Sequence, residues 1–273
     1  MLIAQISDTH VCAPGHLLSD TIDTAGFLAR AVGHLNGLDP RPDLVLATGD
    51  LVNAGRPEEY AHLRALLAPL AMPVYLLPGN HDAREAMVTA FPDHAYLPRQ
   101  GFLQYAVEGH PVRLLALDTL TPGEEGGRIC DERRAWLAAR LAEAPERPTV
   151  LAMHHPPFAT GLACMDDMGF AGAEALADLV RRHPQVERVL CGHLHRPIQT
   201  RWAGTVASTA PSTAHQVTLD LRDDGPLAFS MEPPACQLHL WRAGVGLVSH
   251  LSYIGAYDGP HVVRVRPARA GAV

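Results

Sequence analysis

The chain has 273 residues, with 22 Lys and Arg against 29 Asp and Glu for a formal charge of −7, and 47% of it is hydrophobic. That apolar fraction supports a packed core and excludes a disordered or collagen-like chain, and a negative chain with no Lys/Arg block lacks the electrostatic footprint of a partner for duplex nucleic acid, which binds clustered cations, so none is expected. No apolar run reaches the roughly 20 residues that cross a bilayer and no basic segment precedes an apolar one at the N-terminus, so a cytoplasmic protein without a membrane partner is expected.

Short runs rich in Val, Ile and Leu predict buried strands at Leu2 to Ile6, Leu44 to Ala47, Val74 to Leu77, Val112 to Leu117, Val150 to Met153 and Val189 to Cys191. Helical spacing lies between them. Thr21 to Leu35 places Ala25, Leu28, Val32 and Leu35 on one face, and Pro57 to Leu70 does the same with Leu63, Leu66, Leu67 and Leu70. The second of these begins with Pro57, Glu58 and Glu59, a residue order that suits the positive end of a helix. Further helices are predicted over Asp131 to Ala142 and Ala173 to Arg182. Alternating strands and helices make the class α/β. After about residue 200 the pattern turns β-rich, with strands predicted at Thr205 to Ser208, Gln216 to Leu221, Gln237 to Trp241 and Gly246 to Tyr253. One domain over 1–255 and a tail over 256–273 is the economical division. Its 200–255 portion could complete a sheet, cap the site or pair subunits.

The five cysteines are widely spaced and form no C-x-x-C pair, which argues against a disulfide framework or a zinc ribbon. The 16 histidines carry more information, because several cluster beside Asp, Asn and Gly where a strand ends. Asp8-Thr9-His10 follows the first strand, Gly49-Asp50 the second, and Gly79-Asn80-His81-Asp82 the third. His154-His155 and Gly192-His193-Leu194-His195 follow later ones. In open α/β sheets sites gather beyond the carboxyl ends of strands, so five distant clusters can meet at one edge. D-x-H and H-x-H set two ligands two residues apart, which in extended chain share a face, and a two-metal centre fits that pattern. Carboxylate, imidazole and amide ligands without thiolate suit Mn, Fe, Zn or Co. Taken alone each cluster has a plainer use: Asp82 reads as the cap of a helix starting near Ala83, with Glu85 as its partner. Adjacent residues of extended chain face opposite ways, so His155 is assigned to packing behind His154. Histidines outside the clusters are expected to be surface or satisfied.

These five motifs, in this order, resemble the calcineurin-like metallophosphoesterases over residues 1 to about 216. Gly49-Asp50-Leu51-Val52-Asn53-Ala54-Gly55, Met153 to Pro157 and Ser208 to Gln216 are similar to the branch of bacterial cyclic-nucleotide and glycerophosphodiester phosphodiesterases. The resemblance implies a four-layer α/β/β/α sandwich and two divalent or trivalent metal ions. Asp8, His10 and His195 would hold one ion, Asn80, His154 and His193 the other, and Asp50 would bridge them. It further implies hydrolysis of small phosphodiesters, glycerophosphodiesters or 3′,5′-cyclic nucleotides, by a hydroxide between the metals. Asp50 and His81 are then catalytic, and Asn80, His81 and His215 touch substrate. His81 would stabilise the transition state or protonate the leaving alkoxide, work that suits imidazole. Two branches fit less well. Where protein phosphatases carry an arginine that clamps a phosphate dianion this chain has Asn53-Ala54-Gly55, and the metal-bound tyrosine of purple acid phosphatases is replaced by Asn53. A phosphomonoesterase or a non-catalytic scaffold on the same fold are the alternatives, and a homo-oligomer is expected because members of the branch commonly assemble.

Overall fold

The computed structural model describes residues 1–264. In chain order it forms β1 (Leu2–Ile6), α1 (Thr24–Asn36), β2 (Leu44–Thr48), α2 (Pro57–Leu67), β3 (Val74–Leu77), α3 (Arg84–Ala90), β4 (Tyr105–Val107) and β5 (Arg113–Ala116). There follow β6 (Gly127–Arg128), α4 (Asp131–Ala142), β7 (Thr149–Ala152), α5 (Ala163–Asp166), β8 (Phe170–Ala171), α6 (Ala173–Arg181), β9 (Val186–Cys191), β10 (Gln199–Trp202) and β11 (Thr205–Thr209). The last elements are β12 (Gln216–Val217), β13 (Phe229–Ser230), β14 (Ala235–Arg242) and β15 (Gly246–Tyr253).

Two sheets face one another. One has the order β15-β14-β1-β2-β3 and the other β10-β11-β9-β7-β5-β4. In the first, β1, β2 and β3 run parallel while β14 and β15 are antiparallel additions. In the second, β5, β7, β9 and β11 are parallel and only the edge strands β4 and β10 reverse. Strand alternation explains the layering. Leu114, Ala116, Val150, Ala152 and Leu190 face inwards and belong to one continuous core with Ile3 and Ile6 of the first sheet, a core that also takes in the buried faces of α1 and α2. Their neighbours Leu115, Leu117, Leu151, Met153, Val189 and Cys191 face outwards onto Leu137 and Leu141 of α4 and Leu176 and Leu179 of α6. Each parallel strand is thus apolar on both faces, and helices cover the outer faces. This is the expected α/β/β/α sandwich.

The differences from the expected elements have local causes. Helix α1 starts at Thr24 because the Asp23 carboxylate caps it, accepting from Gly26 N–H at 2.8 Å. Helix α2 stops at Leu67, just ahead of Pro69, which disfavours helix for the residue before it. Of the strand expected over Gln216 to Leu221 only Gln216–Val217 pairs, since the chain turns away at Asp220 to form a short hairpin with β13. Asp82 is a correction: it caps nothing on α3, whose N-cap is Ala83 without a side-chain bond. The carboxylate turns inwards instead. The C-terminal strands β14 and β15 extend the first sheet beside β1, and β10 and β11 extend the second. Residues 255–264 contain no helix or strand, and the rest of the expected tail, 265–273, lies outside the described residues. No helix among the described residues is long and apolar enough to cross a membrane. The five cysteines are free thiols.

Candidate metal centre and active site

The parallel strands β1, β2, β3, β7 and β9 end at one edge of the sandwich, and the chain there turns sharply. Asp8, His10, Asp50, His193 and His195 all have positive φ, between 41° and 70°. Such backbone costs about 1–3 kcal/mol per residue and persists where the surroundings over-determine it, which makes this edge the candidate site. It also corrects the expected geometry. The paired ligands of D-x-H and H-x-H converge through left-handed turns, not through the two-residue period of a strand, because the loops have already left the sheet.

Two glycines permit the approach. A Cβ on Gly49, at φ 92°, would lie 2.4 Å from His154 Nδ1, and one on Gly79 would lie 2.2 Å from Asp50 Oδ1. Any larger residue would push a ligand out of place. Hydrogen bonds lock the rest. Asp8 accepts from His193 N–H at 3.0 and 3.1 Å through its two oxygens, and Asp50 Oδ1 accepts from His81 N–H at 2.9 Å. Asp82 Oδ2 accepts from Gly79 N–H and Leu51 N–H, while Tyr60 Oη donates to its Oδ1 at 2.8 Å. The inward turn of Asp82 therefore clips the loop after β3 to the loop after β2.

The donor atoms meet. Asp50 Oδ2 lies 3.3 Å from His154 Nε2 and 3.7 Å from His10 Nε2. Asn80 Oδ1 is 3.1 Å from His154 Nε2, His195 Nε2 is 3.5 Å from Asp8 Oδ1, and the Nε2 atoms of His10 and His195 face each other at 3.1 Å. His154 donates from Nδ1 to the Thr48 carbonyl at 2.8 Å, and His195 from Nδ1 to the His215 carbonyl at 3.1 Å. Each bond fixes the tautomer whose Nε2 lone pair points into the cluster, as metal-binding imidazoles require. His193 is buried with its ring 5.1 Å from that of His154. Asp8, Asp50 and His154 offer ligand atoms within 4.8 Å of one another, as do His10, Asp50 and His81, and His10, His195 and His215.

The electrostatics fit cations as well. Asp8 and Asp50 are buried. Burial, reinforced by the charge of Asp50, pushes Asp8 up to about 7. Burial also acts to raise Asp50, but His154 and His10 outweigh it and hold that carboxyl well below the usual range. Against burial, the Asp50 charge lifts His154 to about 9. Burial lowers His193 to about 3 and His195 to about 4, and takes His10 well below its ordinary value. Neutral His10, His193 and His195 with free lone pairs, beside two carboxylates that repel each other and a His154 that their charge holds protonated, make a place where positive charge is favourable.

The cavity above this cluster measures about 270 Å³. His81 and His215 reach it, His81 being held by donation from Nδ1 to the Asn53 carbonyl at 2.7 Å. His215 has an unpartnered Nδ1 and sits edge-on to the Phe229 ring, 5.7 Å between centroids. His155 does not face away from His154, as an extended chain would make it do: their rings meet edge-on at 4.7 Å. Its nitrogens are already engaged, Nε2 donating to the Glu125 carbonyl and Nδ1 accepting from Thr119 Oγ1, so it braces the loop that carries Glu125 to the cavity. Leu18, Met165, Met168, Leu227 and Phe229 form an apolar rim that the sequence does not announce, since they come from loops, the one-turn helix α5 and the two-residue strand β13, all too short to show a period.

Comparison with known proteins agrees with this geometry. The family described as Calcineurin-like phosphoesterase matches residues 1–197. A probable glycerophosphodiester phosphodiesterase, GpdQ, of Arcobacter nitrofigilis is 38% identical over 96% of both chains. The 3′,5′-cyclic adenosine monophosphate phosphodiesterase CpdA of Escherichia coli K12 is 32% identical over 78% of this chain and 76% of its own. A dimetal phosphatase from Danio rerio shares the fold, with a TM-score of 0.61 at 15% identity over 93% of this chain and 99% of that one. A match over most of the chain, with the motif residues gathered at one edge, makes this protein a member of the calcineurin-like phosphoesterase family.

Proposed function

We propose that the chain is a dinuclear metal-dependent phosphodiesterase acting on small diesters, glycerophosphodiesters or 3′,5′-cyclic nucleotides, with residues 1–255 as its catalytic unit and 256–273 as a tail. The names of the relatives support a diester substrate. The observation that carries the reading is the convergence of Asp50 Oδ2 with His154 Nε2 and His10 Nε2 beneath a cavity lined by no Lys or Arg. Asp8, His10 and His195 would hold one ion, Asn80, His154 and His193 the second, and the Asp50 carboxylate both. Mn, Fe, Zn and Co suit these donors. Bound there, the ions would neutralise phosphoryl charge and activate water.

The protein's own groups do the positioning. His81 reaches the cavity from a ring whose Nδ1–H is fixed by the Asn53 carbonyl, so that as an imidazolium it would give its Nε2 proton to the leaving alkoxide and return to the neutral Nδ1–H form. The Asp50 carboxylate accepts from His81 N–H and would so keep His81 beside the ions that Asp50 would hold. Asn80 and His215 would orient the phosphoryl oxygens. Among the described residues a monoester dianion finds no guanidinium or ammonium clamp here, whereas a diester, with one negative charge, needs less. The unpaired outer edge of β15, among the described residues, supports a homo-oligomer, which light scattering in solution would test.

The experiment that tests the activity is turnover after chelation and reloading with Mn, Fe, Co or Zn. Cyclic AMP, glycerophosphoethanolamine, an aryl diester and its aryl monoester are compared. Metal-dependent turnover with diesters ahead is expected. A monoester preference would make the chain a phosphomonoesterase, and no turnover with metal bound would make it a scaffold.

A further inference from the structure

Away from the metal edge, a second cavity of about 150 Å³ opens between the two sheets where β9, β10 and β11 face β14 and β15. Three of its lining residues carry buried polar atoms without a partner: Arg188 Nε, Ser208 Oγ and Gln237 Oε1. Ser208 is 3% and Gln237 8% exposed, so neither is supplied freely from bulk solvent. Unmet buried polar groups are unfavourable, and three around one cavity point to an occupant.

The surroundings define what that occupant must offer. Gln237 donates from Nε2 to the Thr209 carbonyl at 3.0 Å, so its free oxygen needs a donor. Arg188 gives Nη1 to Ser249 Oγ at 2.9 Å and Nη2 to the Leu247 carbonyl at 3.2 Å, so its free Nε needs an acceptor. Among the described residues no carboxylate lies within 4 Å of that guanidinium. Ser208 can serve either way. The wall behind is complete. His239 donates from Nε2 to Gln5 Oε1 at 3.0 Å and accepts at Nδ1 from Ser249 Oγ at 2.7 Å, and Gln5 Nε2 donates to Thr48 Oγ1 and the Cys191 carbonyl. The free valences thus point only at the cavity.

We propose that this cavity is a second binding site for a small hydroxylated oxyanion of the hydrogenphosphate class. Its oxygens accept from Arg188 Nε–H and Ser208 Oγ–H, its hydroxyl donates to Gln237 Oε1, and its charge offsets the guanidinium. Inorganic phosphate and a phosphate monoester share this chemistry. The site does not depend on the activity proposed above.

The test is calorimetric titration of metal-loaded protein with inorganic phosphate and, separately, with glycerol 3-phosphate, alongside crystals soaked in millimolar phosphate. The tighter of the two titrants identifies the source. Two binding events are expected in the wild type, with a tetrahedral anion between Arg188, Ser208 and Gln237. Ser208→Asp, which breaks no hydrogen bond and sets a carboxylate beside Arg188, should abolish one event and leave metal-dependent turnover intact. Arg188→Gln should weaken the same event roughly tenfold or more, as befits the loss of a charged hydrogen bond. Should Arg188→Gln fail to fold, Ser208→Asp alone decides. Water alone in the soaked cavity, or unchanged binding in Ser208→Asp, would overturn the proposal.

Discussion

One cavity is walled by two regions built in opposite ways. Its floor consists of loops after parallel strands, with buried side chains, left-handed backbone at Asp8, His10, Asp50, His193 and His195, and hydrogen bonds that hold Asp8, Asp50 and His154 in place. Its rim includes the β12–β13 hairpin, which pairs only Gln216 with Ser230 and Val217 with Phe229 and leaves Leu227 57% and Phe229 50% exposed. A strained floor holds its shape only because packing enforces it, whereas a rim with few bonds can adapt at little cost. On the function proposed above, the floor would fix the chemistry and the rim would select the alcohol that leaves.

Breaking the floor should have the largest effects. Asp50→Ala removes the oxygen shared by the His10 and His154 sides and the acceptor of His81 N–H, so bound metal and turnover should vanish together. Metal analysis of the purified variant checks this, and a fully loaded variant would show that Asp50 does not bridge. His81→Ala should keep its metal and lower turnover by roughly 10²- to 10³-fold, the usual worth of a proton donor or an oxyanion contact. Loss of metal in that variant would move His81 into the ligand set.

The floor was the more legible part of the sequence. Asp8, His10, Asp50, Asn80, His154, His193 and His195 stand beside Gly or at fixed spacing just after apolar runs, and a parallel sheet carries such positions to one edge. The left-handed turns that aim them were not legible, since positive φ is announced by glycine and these residues are Asp and His. Asp82 was misread because an acidic residue ahead of a helix ordinarily caps it, and only the tertiary position of Tyr60 and Leu51 shows what it binds instead. The rim was invisible for a different reason. Residues 217–231 carry neither a two-residue nor a 3.6-residue period, so nothing local tells which apolar side chains turn towards the cavity.

Between floor and rim lies the loop after β5, and its anchor sharpens the comparison. Asp118 is fully buried, accepts two hydrogen bonds from the Arg84 guanidinium at 2.6 and 2.7 Å, and also takes Leu103 N–H and Leu120 N–H. Arg133 donates to the carbonyls of Asp118 and Leu120 beside it. Asp118→Ala strands the guanidinium of Arg84 and should cost about 3–5 kcal/mol, visible as a lower midpoint in urea. A loss below 1 kcal/mol would mean that this anchor is as loosely held as the rim.

The smallest expected effect tests the rim itself. Phe229 sits edge-on to His215 with half its surface exposed, so a planar alcohol leaving the phosphoryl group can cover the remaining half. Burying part of an aromatic ring contributes about 1 kcal/mol, which is roughly fivefold in kcat/KM. Phe229→Ala should therefore lower kcat/KM for an aryl or nucleobase-bearing diester by about that factor, chiefly through KM, and leave a glycerol-headed diester unchanged. Metal content should not move, because Phe229 offers no ligand atom. A uniform drop across all diesters would instead make the hairpin part of the floor's support, since a residue that only selects the alcohol cannot slow every substrate equally.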